Sequence, residues 1–338
     1  MLLTTALYHA LNDQFPGAQT DTLIYKETTP LLQNNPHLNR VLCIDRKLKG
    51  FARLKAELAL LFRVRRAGYD AVIHLTDQWI GALIARFSNA PVRVQMAYAK
   101  RDKALWHACF TDRIVPPPRG QAHAVELNLL CLQALGINPS SLRGEMVLRP
   151  SPENLDKADA LLAEQAVNGP FVLIHPAARW PFKCWEDDKF AQVVVHLLNR
   201  GLHVVLTCSP DPVEVAMTAE IERLARAKYS KGSSQLVNVG GKMSLPLLAA
   251  LLKLSKFYVG VDSAPMHMAA ALNVPQVALF GPSWVQEWRP WSDKATVIYA
   301  GDFGPLPHPD SINTDDTTRL LAAIPTEVVI QSVDKLVD

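Results

Sequence analysis

The 338 residues include no run of 18 or more apolar side chains. The nearest approach, Phe257 to Phe280, is broken by Asp262, Pro265, His267 and Pro275, so no segment reads as a membrane-spanning helix. The amino terminus lacks a basic segment followed by an apolar stretch and a small-residue cleavage site. Nothing therefore marks the chain for export, and a cytoplasmic location is expected. Cysteine is sparse: Cys43, Cys109, Cys131, Cys184 and Cys208 are odd in number, scattered, and never in C-x-x-C spacing. That excludes a disulfide framework and fits reduced thiols in a cytosol.

What is present is globular. Apolar residues make up 49 % and charged residues 20 %, and the length suggests two domains. The net charge of +3 hides an asymmetry. Up to Arg149 there are 19 Lys and Arg against 11 Asp and Glu; beyond it there are 16 against 21. Much of the positive excess lies between Arg46 and Arg66, where Arg46, Lys47, Lys49, Arg53, Lys55, Arg63, Arg65 and Arg66 surround Leu54, Leu58, Leu61 and Phe62. This pattern predicts a basic amphipathic helix or helix pair. It reads either as a solvated face or as a surface attractive to an anionic membrane or a phosphorylated acceptor.

Short β-branched runs alternate with helical patterns along the whole chain. Strands are expected at Thr22 to Lys26, Arg40 to Ile44, Ala71 to Leu75 and Val92 to Met96, with a helix at Gln121 to Leu135. The proline-bearing segment 149–152 separates a second series: Phe171 to His175, His203 to Thr207, Leu236 to Val239, Phe257 to Val261, Gln276 to Phe280 and Thr296 to Tyr299. Continuous apolar runs are the mark of strands covered on both faces. The helices between them, such as Asp187 to Asn199 and Val213 to Lys228, complete β-α-β units, so the fold class is α/β. Two doubly wound domains are expected, residues 1–149 and 150–338.

The first domain opens on a helical pattern, Met1 to Gln14, with no strand before it. A doubly wound domain normally starts with a central strand, and removing it leaves two interior edges unpaired. The expectation is that a strand precedes Met1, which would then be an internal methionine.

Two segments of the second domain carry the chemistry. His175 to Trp185 follows a strand and precedes a helix opened by Glu186, Asp187 and Asp188. A loop at a strand's carboxyl end bearing Arg179 and Lys183 suits an anion. Lys183 is either a phosphate ligand or a surface lysine, and Trp185 is a packing anchor. The second segment runs from the strand Phe257 to Val261 into Asp262, Ser263, Ala264, Pro265, Met266 and His267, with a helix beginning near Ala264. That helix aims free N–H groups at the place where a pyrophosphate would sit. Asp262 would repel phosphate, which leaves capping the helix, orienting Lys183 or accepting sugar hydroxyls. His267 either donates to phosphate or is structural. Gly281, after the next strand, permits close approach of backbone to a ligand. Ser244, after the pair Gly240-Gly241, can cap the following helix.

These residues resemble the ADP-heptose:lipopolysaccharide heptosyltransferases over essentially the whole chain. The resemblance rests on His175-Pro176 to Lys183-x-Trp185, on Lys242-Met243-Ser244-Leu245, and on Asp262-Ser263-Ala264-Pro265-Met266-His267 followed by Phe280-Gly281-Pro282. Among members, similarity is greatest to those that add the branching heptose of the inner core. The resemblance implies a GT-B fold, two facing Rossmann-like domains with the active site in the cleft between them. By position it places Lys183 on the donor's phosphates, the backbone of Ala177 and Ala178 beside them, Met243 next to adenine and Glu214 on the ribose, with Asp211 as a competitor. Asp262, Ser263, Ala264 and His267 would hold the diphosphate and heptose. The family's catalytic base is an aspartate of a Gly-Asp pair just ahead of the segment Met1-Leu2-Leu3-Thr4-Thr5, so the base would lie upstream of Met1.

The implied reaction is an inverting transfer of heptose from ADP-heptose to a phosphorylated lipopolysaccharide inner-core acceptor, with ADP leaving. The chain has no Asp-x-Asp with which a sugar-nucleotide enzyme would hold a divalent ion, so neither metal nor cofactor is expected, and turnover without the upstream base would be poor. Partners are the nucleotide-sugar donor and the acceptor, with peripheral contact at the cytoplasmic face of the inner membrane and no nucleic acid. Rival readings are another two-lobed nucleotide-sugar enzyme, an epimerase or a UDP-sugar glycosyltransferase, or a non-catalytic two-lobed binding protein.

Overall fold

Parallel strands alternating with helices fill both halves of the chain in the computed structural model, which describes residues 1–97, 99–229 and 235–337. The chain divides into two compact units, one of Leu3–Met146 with Met1 and the other of Val147 onward with Leu2.

The first unit opens on helix α1 (Thr5–Gln14), then strand β1 (Asp21–Tyr25), β2 (Arg40–Ile44), α2 (Gly50–Ala67), β3 (Ala71–His74), α3 (Trp79–Ser88), β4 (Val92–Met96), α4 (Ala104–His107), β5 (Asp112–Ile114) and α5 (Ala124–Leu130). Its strands are all parallel but form two separate sheets, β1-β2 and β3-β4-β5. Among the described residues, β1 pairs only with β2 and β3 only with β4. The small sheets are tied together by other means. Leu42 of β2, Leu60 and Val64 of α2 and Ile84 of α3 share one apolar cluster. The Asp21 carboxylate accepts from Tyr69 just ahead of β3 (2.5 Å), from Arg40 and from Asn39. Burial pushes that carboxyl up, yet the three donors outweigh burial and hold it below its ordinary value.

The residues from Gly50 to Ala67 form one helix, not a pair. Its apolar side is not the side that packs. Only Leu60 and Val64 are buried, while Phe51, Leu54, Leu58 and Phe62 are exposed.

The second unit contains α6 (Pro152–Glu164), β6 (Phe171–His175), α7 (Asp187–Asn199), β7 (His203–Leu206), α8 (Pro212–Lys228), β8 (Leu236–Asn238), α9 (Leu245–Leu254), β9 (Phe257–Val261), α10 (Ala264–Ala271), β10 (Gln276–Phe280), α11 (Val285–Trp288), β11 (Ala295–Tyr299) and α12 (Thr326–Val337). Six parallel strands lie in the order β11-β10-β9-β6-β7-β8. Every residue of β6, β9 and β10 is buried, as continuous apolar runs require of strands covered on both faces. Winding proceeds outward from β6 to β7 and β8, then returns to the other side of β6 through β9. The sheet's direction therefore reverses between β6 and β9, where doubly wound sheets open a crevice beyond their carboxyl ends. Trp185 is wholly buried, edge-on to Phe190 of α7, and its ring N–H donates to the Ile324 carbonyl (3.3 Å). It is the packing anchor expected.

Candidate active site

The loops leaving β6 and β9 emerge side by side because those strands pair in register, His175 beside Gly260. The loop after β6 closes in a 3-10 turn, Pro181–Lys183, that brings Lys183 back toward the sheet. Its ammonium donates to Asp262 Oδ2 at 2.6 Å, and the two side chains are 16 % and 6 % exposed. The same ammonium lies 5.3 Å from the Trp180 ring centroid, and Trp180 stacks on Phe182. Arg179, exposed, lies over the Trp180 ring, 5.8 Å from its centroid. One cation is thus held rigidly and a second is available nearby.

Asp262 does not cap α10. The cap position belongs to Ser263, whose side chain makes no capping bond, and Pro265 occupies the first turn. The helix start has no capping bond from Ser263 and lies next to the Lys183–Asp262 pair. Such a start attracts anions through both its donors and its dipole. Of the three roles open to Asp262, capping is excluded and a bond to Lys183 is present. An ammonium has three donors, so after bonding Asp262 two remain for a ligand.

The other expected site residues all lie in the second unit. Ala177 is buried and Ala178 half-buried in the same loop as Lys183; Ala264 is exposed and His267 half-buried in the first turn of α10. Glu214 is buried in the first turn of α8, where its carboxylate accepts from the Ser209 backbone N–H (3.0 Å). Its competitor Asp211 is exposed and serves as the cap of α8, accepting from Val213 N–H (2.9 Å). Met243 is half-buried in the loop between β8 and α9, and Ser244 caps α9 through the Leu247 N–H. Gly241, at φ 73°, shapes that loop in a conformation other residues adopt only with strain.

Gly281 corrects one reading. A Cβ there would lie 2.6 Å from Leu321 Cδ1 and 3.3 Å from the Phe182 carbonyl, so protein rather than ligand fills the space glycine leaves.

A polar cluster in the first unit carried no motif signal. At the carboxyl end of β3, Asp77 is ion-paired with Lys100, and Arg101 donates to the Asp77 carbonyl (2.8 Å). His74, the last residue of β3, is packed against Trp106 and Phe110, and burial pushes its pKa down to about 4. Isolated polar residues spread from 74 to 101 have no spacing that a sequence reading could recognise. No group of three or more His, Cys, Asp or Glu among the described residues is placed to hold a metal ion.

The sequence pattern of glycosyltransferase family 9 (heptosyltransferase) matches residues 58–315. The chain belongs to that family. It is 36 % identical over 337 residues to lipopolysaccharide heptosyltransferase 3 of Escherichia coli K12, covering 99 % of this chain and 94 % of that one. Among solved structures, the glycosyl transferase family 9 protein of Veillonella parvula superposes with a TM-score of 0.81 at 20 % identity, covering 99 % of this chain and 93 % of that one. The Escherichia coli ADP-heptose lps heptosyltransferase II gives 0.78 at 22 %, covering 100 % and 95 %. The fold of this heptosyltransferase is therefore GT-B, with parallel α/β units. Family membership sets aside the epimerase and binding-protein readings.

Proposed function

We propose that this heptosyltransferase moves heptose from ADP-heptose onto a heptose of the lipopolysaccharide inner core, with inversion and without a metal, at the cytoplasmic face of the inner membrane. The observation that carries the reading is the Lys183–Asp262 pair at the reversal point of the second sheet, beside the uncapped start of α10. An acceptor hydroxyl attacks the anomeric carbon, and the bond to the diphosphate oxygen breaks as negative charge grows on ADP. Lys183 and the first N–H groups of α10 meet that charge in a largely dry setting, where fixed donors are most effective. Asp262 keeps the ammonium in place before the donor arrives, and Arg179 adds a second positive charge. Ala177, Ala178, Ser263, Ala264 and His267 complete the diphosphate and heptose contacts, Met243 lies against adenine, and Glu214 bonds the ribose while bracing Ser209. As the glycosidic bond forms, the proton of the acceptor hydroxyl passes to solvent.

The test is release of ADP from ADP-heptose on defined truncated lipopolysaccharides, with UDP-sugars as the comparison donors. Turnover confined to ADP-heptose is expected, unchanged by a chelator. Turnover with UDP-sugars instead, or activity lost in chelator and restored by a divalent cation, would contradict the substrate or the metal-free part respectively.

A further inference from the structure

Helix α2 presents its apolar stripe to solvent. Phe51, Leu54, Leu58 and Phe62 are 80 %, 52 %, 45 % and 68 % exposed. At 3.6 residues per turn they fall within an arc of about 80°, over a length of about 16 Å. The inward side of the helix, Leu60 and Val64, is already committed to the apolar cluster shared with β2 and α3. Cations border the exposed stripe: Lys55 and Arg66 along one side, Arg65 at its carboxyl-terminal end. The one acidic residue of the helix, Glu57, is turned away and bonded to Arg53 (2.7 Å). At the Phe62 end, Arg40, Arg63 and Arg66 line an open depression of about 520 Å³ together with Phe62.

We infer that this face of α2 is a membrane-docking surface for an anionic phospholipid bilayer. A straight, narrow apolar ridge flanked by cations has the charge pattern of a helix lying in the headgroup plane, with aromatic and leucine side chains entering the acyl boundary. The arginines around the depression sit at phosphate level beside Phe62, so apolar insertion and headgroup binding act on the same few residues. The inference deepens the proposed location at the inner membrane and rests on that part of the proposed function, not on donor chemistry.

The experiment is flotation of the full chain with vesicles of phosphatidylethanolamine and phosphatidylglycerol, and with vesicles of phosphatidylcholine alone. Binding to the anionic vesicles is expected, weakened by high salt. Phe51→Ser with Phe62→Ser should lower the partition coefficient about tenfold or more, as should Arg63→Glu with Arg66→Glu. ADP affinity by calorimetry should be the same in all variants, which reads donor binding separately from docking. Equal binding to phosphatidylcholine, no vesicle binding, or full binding by the Phe51/Phe62 variant would overturn the proposal. So would variants that keep vesicle binding but lose affinity for a lipid-free phosphorylated core oligosaccharide, since the face would then serve the acceptor.

Discussion

Lys183 and Asp262, 79 residues apart in sequence, share a 2.6 Å charge-assisted hydrogen bond across the point where the second sheet reverses direction. Neither side chain has much contact with water, so each depends on the other for stability. The pair also fastens the loop after β6 electrostatically to the loop after β9.

Removing one partner strands the other. Asp262→Ala or Lys183→Met should each lower unfolding free energy by about 3 kcal/mol, while Lys183→Met combined with Asp262→Leu should recover most of that. ADP affinity behaves differently: every variant lacking Lys183 should bind ADP roughly 10- to 100-fold more weakly, the double variant included. Urea titration and calorimetry on the same set check this. Recovery of both properties in the double variant would mean that Lys183 is structural only.

Stability should fall in mild acid. His175 ends β6 with its Nδ1 3.0 Å from Thr207 Oγ1, and the Thr207 hydroxyl donates to the Ile174 carbonyl. Burial pushes its pKa down to about 4, as it does for His74. The unfolded chain holds these protons up to about pH 6.5, so between about pH 6.5 and 4 it binds more protons than the folded one. Stability is unaffected above that window and declines through it, by roughly 3 kcal/mol for each histidine. In denaturant melts, His175→Gln should show a shallower loss between pH 6.5 and 4.5. A slope identical to that of the parent would show that His175 is not among the groups responsible.

Gly281→Ala should cost about 1–3 kcal/mol through the clash with Leu321. The same change made in a Leu321→Val background, where the offending methyl is gone, should cost less. A double-mutant cycle measures the difference. Additive costs would place the strain elsewhere.

Much of the architecture was legible. Phe171–His175, Phe257–Val261, Gln276–Phe280 and the helix Asp187–Asn199 were readable to the residue, because a strand covered on both faces is a continuous run and an amphipathic helix keeps its period, while Arg40–Ile44 and Val92–Met96 were readable from their β-branched residues. Strand β5 escaped notice: it is three residues long, two of them charged. Helix α6 was not singled out either: Ala158 is its one buried residue. Lys183 and Asp262 were identified as candidates, but not as a bonded pair.

The sequence by itself determined most of the strands and helices, the family, and that a lysine and an aspartate would follow two separate strands, for all of these are properties of local pattern. Only the tertiary structure decided that β6 and β9 are neighbours, that Asp262 holds Lys183 instead of capping α10, and that the apolar side of α2 faces outward. Strand order and the choice of which helix face is buried depend on what lies opposite in space, and periodicity along a chain carries no record of that.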